Sequence, residues 1–221
     1  MNNYQWDFDV VLNAVPLILN GSLYTLLLTL LVFVGSVILG LVLCVLRSAN
    51  VRPISWLTVG IVDLLRLTPV LVQILWIYYC LPLIGITLTP FWSGVVALAI
   101  NGAAFTSEIF RAGFGSVDTG VREAAEATGM NRWQVFHRIM LPLAARNVRH
   151  PLGTTWVSTF QDTSLVAVLG VTELLHSAQV ISTETLRPVE AFTVIGVVYF
   201  LLAYPQARLV ESLQRRARIL T

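Results

Sequence analysis

SLYTLLLTLLVFVGSVILGLVLCVL, residues Ser22 to Leu46, contains no charged side chain. It is longer than the roughly 20 apolar residues that a helix needs to cross a bilayer core. The silence extends outward: no charge lies between Asp9 and Arg47, and none between Arg66 and Glu108. A soluble fold rarely tolerates two such runs. Only 12% of the 221 residues are charged and 56% are hydrophobic, against about 25% charged in a typical soluble domain. These runs place the chain in a membrane.

Five segments qualify as spans: about 22–46, 54–81, 91–110, 152–172 and 191–210. The second carries Asp63 and Arg66, and the fourth carries Asp162. Ahead of them, WDFDVVLNAVPLILN (Trp6 to Asn20) mixes acids with apolar residues and reads as a short amphipathic helix at the interface. The start lacks the positive n-region of a secretory signal, its first charges being Asp7 and Asp9. No repeat or low-complexity tract divides the chain, so residues 1–221 are expected to form one all-α membrane domain.

Every one of the 14 basic residues is arginine. Arg47 and Arg52 follow the first span; Arg111, Arg122, Arg132, Arg138, Arg146 and Arg149 lie between the third and fourth; Arg208, Arg215, Arg216 and Arg218 close the chain. With five spans these all face one side, leaving Arg66 inside a span and Arg187 opposite. The positive-inside rule makes that side cytoplasmic. The N-terminus is then outside and the C-terminus inside. The two cysteines, Cys44 and Cys80, sit far apart in apolar runs and read as small buried hydrophobes.

One cytoplasmic stretch stands out: REAAEATGMNRWQVFHRIMLP, Arg122 to Pro142, within a loop of about 116–142. Asp118 or Thr119 can cap a first helix. Gly129 suits the left-handed position past its end. Asn131 with Gln134 forms a capping box for a second helix, which spaces Trp133, Phe136 and Met140 along one face. Pro142 is expected to stop that helix before the fourth span. Ala124, Ala125 and Ala127 leave a smooth surface for a close-packed partner.

The spacing Glu123-Ala124-Ala125, three residues, Gly129, nine residues, Ile139, one residue, Leu141-Pro142 is similar to the EAA loop of ATP-binding-cassette importer permeases. Three further stretches resemble the polar amino-acid branch of that family: DLLRLTPVLVQILWIYY (Asp63 to Tyr79), NGAAFTSEIFRAG (Asn101 to Gly113) and QDTSLVAVLGVTEL (Gln161 to Leu174). Two positions depart from the family pattern: Leu67 replaces the usual Gly, and Gln161 the usual Lys. The resemblance implies that Glu123, Ala124, Ala125, Gly129, Ile139, Leu141 and Pro142 couple the chain to an ATPase. It also implies a second permease subunit, identical or paralogous, an ATP-binding-cassette ATPase dimer, and an extracytoplasmic solute-binding protein that delivers an amino-acid-like solute. The setting it implies is the bacterial inner membrane.

Ionisable groups inside a membrane are costly and are functional candidates by default. Asp63, Arg66, Asn101 and Asp162 are expected near mid-membrane, where transporters often bind substrate. Pro69 breaks the hydrogen-bond ladder of the second span near Arg66. Asn101, Gln161, Asp162, Thr163, Ser164 and Arg66 are therefore candidates for the substrate path, an ammonium favouring Asp162 and a carboxylate favouring Arg66. Structural alternatives stand beside each: Asp63 can pair with Arg66, Asp162 can hold backbone at a helix break, and Asn101 can bridge helices. Glu108 with Arg111 reads as an anchor at the cytoplasmic rim. Ser36 with Gly40, and Ala99 with Ala103, are small pairs that allow close helix approach.

A P-loop requires a lysine that reaches the nucleotide phosphates, and this chain has none. It cannot be the ATPase itself. No catalytic residue, cofactor, metal site or nucleic-acid partner is expected; the three histidines lack metal spacing. An intramembrane hydrolase would need a nucleophile motif such as Gly-x-Ser-x-Gly, which is missing. A self-sufficient, ion-coupled secondary transporter using Asp63 and Asp162 is the alternative. It leaves the cytoplasmic platform unexplained.

Overall fold

A computed structural model describes residues 4–49 and 51–219, with the backbone alone for 213–219. The side chains of Arg215, Arg216 and Arg218, which enter the orientation argument above, lie outside the described residues. The elements are α1 (Asp9–Leu12), α2 (Val15–Arg47), α3 (Arg52–Leu67), α4 (Val70–Cys80), α5 (Pro90–Gly115), α6 (Thr119–Ala127), α7 (Arg132–Val135), α8 (Leu141–Asp162), α9 (Leu174–Thr185) and α10 (Pro188–Ile219). Short 3₁₀ turns cover Leu81–Ile84 and Thr163–Leu169, and a π turn covers Phe136–Met140. No strand occurs among the described residues.

Several boundaries differ from expectation for local reasons. The interfacial helix expected over Trp6–Asn20 is one turn, α1, followed directly by α2. Pro16 falls in the first turn of α2, where its missing N–H has no partner to lose. Pro142 does not stop the second loop helix. The chain widens into the π turn, in which the Leu141 N–H reaches back to the Phe136 carbonyl, and helix continues as α8. Pro142 thus occupies a first helical turn and is tolerated there. The fourth span, expected as helix over 152–172, instead tightens at Asp162. The Thr163 hydroxyl donates to the Phe160 carbonyl at 2.7 Å and the Ser164 hydroxyl to Gln161 at 2.8 Å. Such local bonds compete with the α-helical ladder, and the 3₁₀ turn ends at Gly170 in the left-handed region. Helix α9 was not anticipated.

Two compact units are distinguishable. The first comprises Met1–Val32, Val70–Leu98 and Val157–Gln206. Its core joins Val11 and Ile18 to Leu174, Ala178 and Ile181 of α9 and Ala191 and Ile195 of α10. The Thr25 hydroxyl accepts the Leu174 N–H at 3.0 Å, tying α2 to the start of α9. The N-terminal segment is strapped to the start of α10. Glu190, fully buried, accepts from the Tyr4 hydroxyl and from the Asp7 N–H at 3.1 Å. That carboxylate pushes the Tyr4 phenol pKa up from its ordinary value. Trp6 and Phe8 stack beside it with ring centroids 5.4 Å apart.

The second unit comprises Phe33–Pro69, Ala99–Trp156 and Ala207–Thr221. The two small pairs meet each other here. The Ser36 hydroxyl donates to the Ala99 carbonyl at 3.3 Å, and the Thr106 hydroxyl donates to the Ser36 carbonyl at 2.7 Å. A Cβ on Gly40 would sit 1.9 Å from Thr106 Oγ1, so only glycine permits this approach. Below it Cys44, Phe110 and Val148 form a small core.

Candidate functional site

The loop platform is built by its caps. The Asp118 carboxylate accepts the Gly120 N–H at 2.7 Å and starts α6. Gly129, at φ +84°, turns the chain out of α6. Asn131 and Gln134 then exchange the two bonds of a capping box, at 2.9 and 3.0 Å, and start α7. Ala125 is buried and holds α6 to its surroundings, while Glu123, Ala124 and Gly129 are exposed. Phe136 stacks on Phe114 of α5, centroids 6.0 Å apart, which fixes the second helix. Trp133 stands out at 69% exposure, its indole 3.7 Å from the His137 ring. Ile139 is half-buried in the π turn, and Leu141 and Pro142 are exposed at the start of α8. The seven coupling candidates thus divide into an exposed group and two positions, Ala125 and Ile139, that support it.

The break in the second span lies where Pro69 places it. Helix α3 ends at Leu67, and Thr68 is extended at φ −94° and ψ 132°, as a residue before proline prefers. Asn101 of α5 donates its amide to the Leu65 carbonyl at 3.1 Å. Arg66 approaches Glu108, at 3.8 Å, and lies over the Phe105 ring, 5.5 Å from its centroid. Glu108 also pairs with Arg47, and with Arg111 at 2.7 Å. The Glu108–Arg111 anchor read from the sequence is therefore part of a carboxylate ringed by three guanidiniums. Asp63 is exposed and forms no ion pair with Arg66 among the described residues. So Asn101 bonds the backbone just before the break, the Arg66 side chain turns to Glu108 and Phe105, and Asp63 joins neither.

The remaining path candidates lie in the first unit. Gln161 and Asp162 are exposed, Thr163 is buried and Ser164 is half-buried. Gln161 and Ser164 border a cavity of about 380 Å³ walled by Phe160, Tyr199 and Phe200. The Asp162 carboxylate receives no hydrogen bond or ion pair among the described residues. A charged, exposed carboxylate on an apolar segment is unfavourable against lipid. It needs water, solute or another subunit.

Sequence reasoning passed over Glu173. It is 0% exposed, accepts the Leu175 and His176 N–H groups at 2.9 and 2.6 Å, and accepts the Tyr199 hydroxyl at 2.7 Å. Its signal was present: a lone carboxylate between Val171 and Leu175 in an apolar run. It caps α9, a role that glutamate seldom takes. Glu190 was missed similarly, although an acid in the first turn after Pro188 suits the helix dipole.

Over residues 36–219 the chain matches the family described as the binding-protein-dependent transport system inner membrane component. The chain belongs to that family. It is an inner-membrane protein, and family members of this kind are membrane permease subunits rather than ATPases. The glutamine transport system permease protein GlnP of Escherichia coli (strain K12) is 32% identical, over 98% of this chain and 100% of that protein. The L-cystine transport system permease protein TcyB of Bacillus subtilis (strain 168) is 36% identical, over 95% and 92%. A crystal structure of an amino acid ABC transporter with histidines superposes with a TM-score of 0.91 at 32% identity, covering 96% of this chain and 100% of that one. The inward-facing MetNI methionine ABC transporter shares the fold at a TM-score of 0.77 and 19% identity. The family match takes in the platform, the Pro69 break and the 161–164 turn.

Proposed function

We propose that the chain is the permease subunit of an ATP-binding-cassette importer for a polar amino acid or related small zwitterion. The carrying observation is the platform at 116–142. Two capped helices, joined through Gly129 at φ +84°, present Glu123 and Ala124 to solvent in a chain that is otherwise mostly hydrocarbon. These caps and exposed residues support reading the platform as a docking surface, which a permease without a P-loop needs. We read Glu123, Ala124, Gly129, Leu141 and Pro142 as the contact set for an ATPase dimer that hydrolyses ATP, with Ala125 and Ile139 supporting it from beneath.

We read residues 1–221 as one membrane domain with five crossings, N-terminus outside and C-terminus inside. Three helices are long and apolar enough alone, and we count each of two bent pairs, Arg52–Leu67 with Val70–Ile84 and Arg132–Leu169 with Leu174–Thr185, as one further crossing. The exposure of Gln161 and Asp162 supports a second permease subunit, identical or paralogous, completing a shared path. In the first unit, Asp162 would take the solute ammonium beside Gln161, Thr163 and Ser164; in the second, Arg66, at 3.8 Å from Glu108, with Asn101 nearby on the same break, would serve a carboxylate. An extracytoplasmic binding protein would deliver the solute.

Purification of the tagged chain from its native membrane tests this reading. An ATPase subunit should co-isolate with wild type, and Glu123→Lys should lose it while the permease itself remains folded. Recovery of the wild-type chain with no ATPase would contradict the proposal.

A further inference from the structure

Among the described residues, Leu186 alone combines a side chain with a positive φ, +56°. It follows α9, at the position where glycine or asparagine is usual. Leucine pays a conformational penalty there. It recovers nothing by burial, since its side chain is 82% exposed. A strained residue that holds an apolar side chain in the open points to a use outside the chain.

The turn is braced on both sides. The Thr185 hydroxyl donates to the Ile181 carbonyl at 2.6 Å. Arg187 donates to the Gln5 carbonyl at 2.8 Å and pairs with Glu190 at 3.3 Å. Glu190 in turn holds Tyr4 and Asp7. The tip is therefore fixed by the N-terminal strap. Its surroundings are acidic: Glu184 is exposed two residues away, and the strap carries Asp7 and Asp9, while the single arginine is occupied.

In the proposed orientation this corner is extracytoplasmic. Two occupants then compete. An anionic lipid surface is repelled by Asp7, Asp9 and Glu184 and gains nothing from a pre-set turn. A protein with an apolar pocket rimmed by arginine or lysine is attracted by the same acids, and a rigid tip lowers the ordering cost of docking. We propose that Leu186 is the anchor by which the extracytoplasmic solute-binding protein docks, through a pocket with a basic rim. This rests on the importer reading above.

The test uses the intact complex in nanodiscs. Solute-loaded binding proteins of the source organism are titrated in, and stimulation of ATP hydrolysis is read. Leu186→Gly relieves the strained turn, so the fold is retained while the anchor is lost. The half-maximal binding-protein concentration should rise about tenfold, with unstimulated hydrolysis unchanged. Glu184→Arg should raise it as well, and added salt should weaken wild-type docking. Stimulation of wild type with an unaltered response in Leu186→Gly overturns the docking inference alone. A fluorophore on Leu186→Cys that is quenched by lipid-borne quencher before any binding protein is added also overturns it. No stimulation of wild type by any of these proteins overturns both the inference and the importer reading.

Discussion

The side-chain amide of Asn101 donates to the carbonyl of Leu65 at 3.1 Å, and Leu65 lies four residues before Pro69. In an unbroken helix that carbonyl would accept from residue 69, but proline has no N–H to give. Asn101 thus adds a donor from α5 to a carbonyl that Pro69 cannot reach with an N–H. Asn101→Ala should lower thermal stability by an amount typical of hydrogen bonds within membranes, about 0.6–1.7 kcal/mol. Restoring the backbone donor should make the amide dispensable: Pro69→Ala with Asn101→Ala should cost less than the two single changes added. Thermal unfolding of the four purified variants measures this coupling, and strict additivity would show that the amide serves something else.

Glu108 holds three arginines unequally. Arg47 is mostly enclosed, while Arg111 is about half exposed. Exposed ion pairs contribute about 1 kcal/mol or less, whereas an enclosed charge left without its partner is costly. Arg111→Ala should therefore change stability little, Arg47→Ala more, and Glu108→Ala most, because it strands the enclosed Arg47. The ranking can be read from melting temperatures in detergent, and added salt should diminish the Arg111 effect first.

Glu173 should prove a structural centre of the first unit. Removing it leaves two backbone N–H groups and the Tyr199 hydroxyl without their acceptor, each unsatisfied buried group costing about 1–3 kcal/mol. Tyr199→Phe removes one donor and leaves the cap in place, for about 1 kcal/mol. Glu173→Ala should accordingly be far more disruptive than Tyr199→Phe, measured as yield of folded protein and as melting temperature.

Much of this architecture was legible in advance, for identifiable reasons. Charge-free runs exposed the long helices α2, α5 and α10. Pro69 and Gly129 marked a break and a turn because each constrains φ or hydrogen bonding at its own position. Asn131 and Gln134 announced the capping box by their spacing. What escaped was non-local or compensated. Pro142 looked like a stop because nothing in its sequence neighbourhood shows that a π turn will absorb it. The tightening after Asp162 depends on which carbonyls the Thr163 and Ser164 hydroxyls choose. Helix α9 starts on a glutamate cap whose other partner, Tyr199, is distant in sequence. Pro69 marked a break near Arg66, yet Arg66 pairs with Glu108 rather than Asp63, and the bond from Asn101 to the Leu65 carbonyl, which joins residues distant in sequence, could not be read there.

The platform offers a separation of fold from coupling. A Cβ on Gly129 would meet nothing within 4 Å of this chain, so Gly129→Ala should cost the fold only the left-handed penalty, about 1–2 kcal/mol, and any loss of ATPase binding beyond that reports contact at the platform. Glu123→Lys changes an exposed side chain and should leave stability within about 0.5 kcal/mol of wild type while releasing the ATPase. Co-purification and melting curves on the same samples distinguish these outcomes.

On the importer reading, energy enters through the platform from a separate ATPase. Uptake of radiolabelled amino acid into proteoliposomes holding the purified complex tests it most directly. Import should require both ATP at the platform side and a solute-binding protein on the opposite side, and should vanish with Glu123→Lys. Import that persists in vesicles containing the permease alone, driven by an ion gradient, would contradict the account.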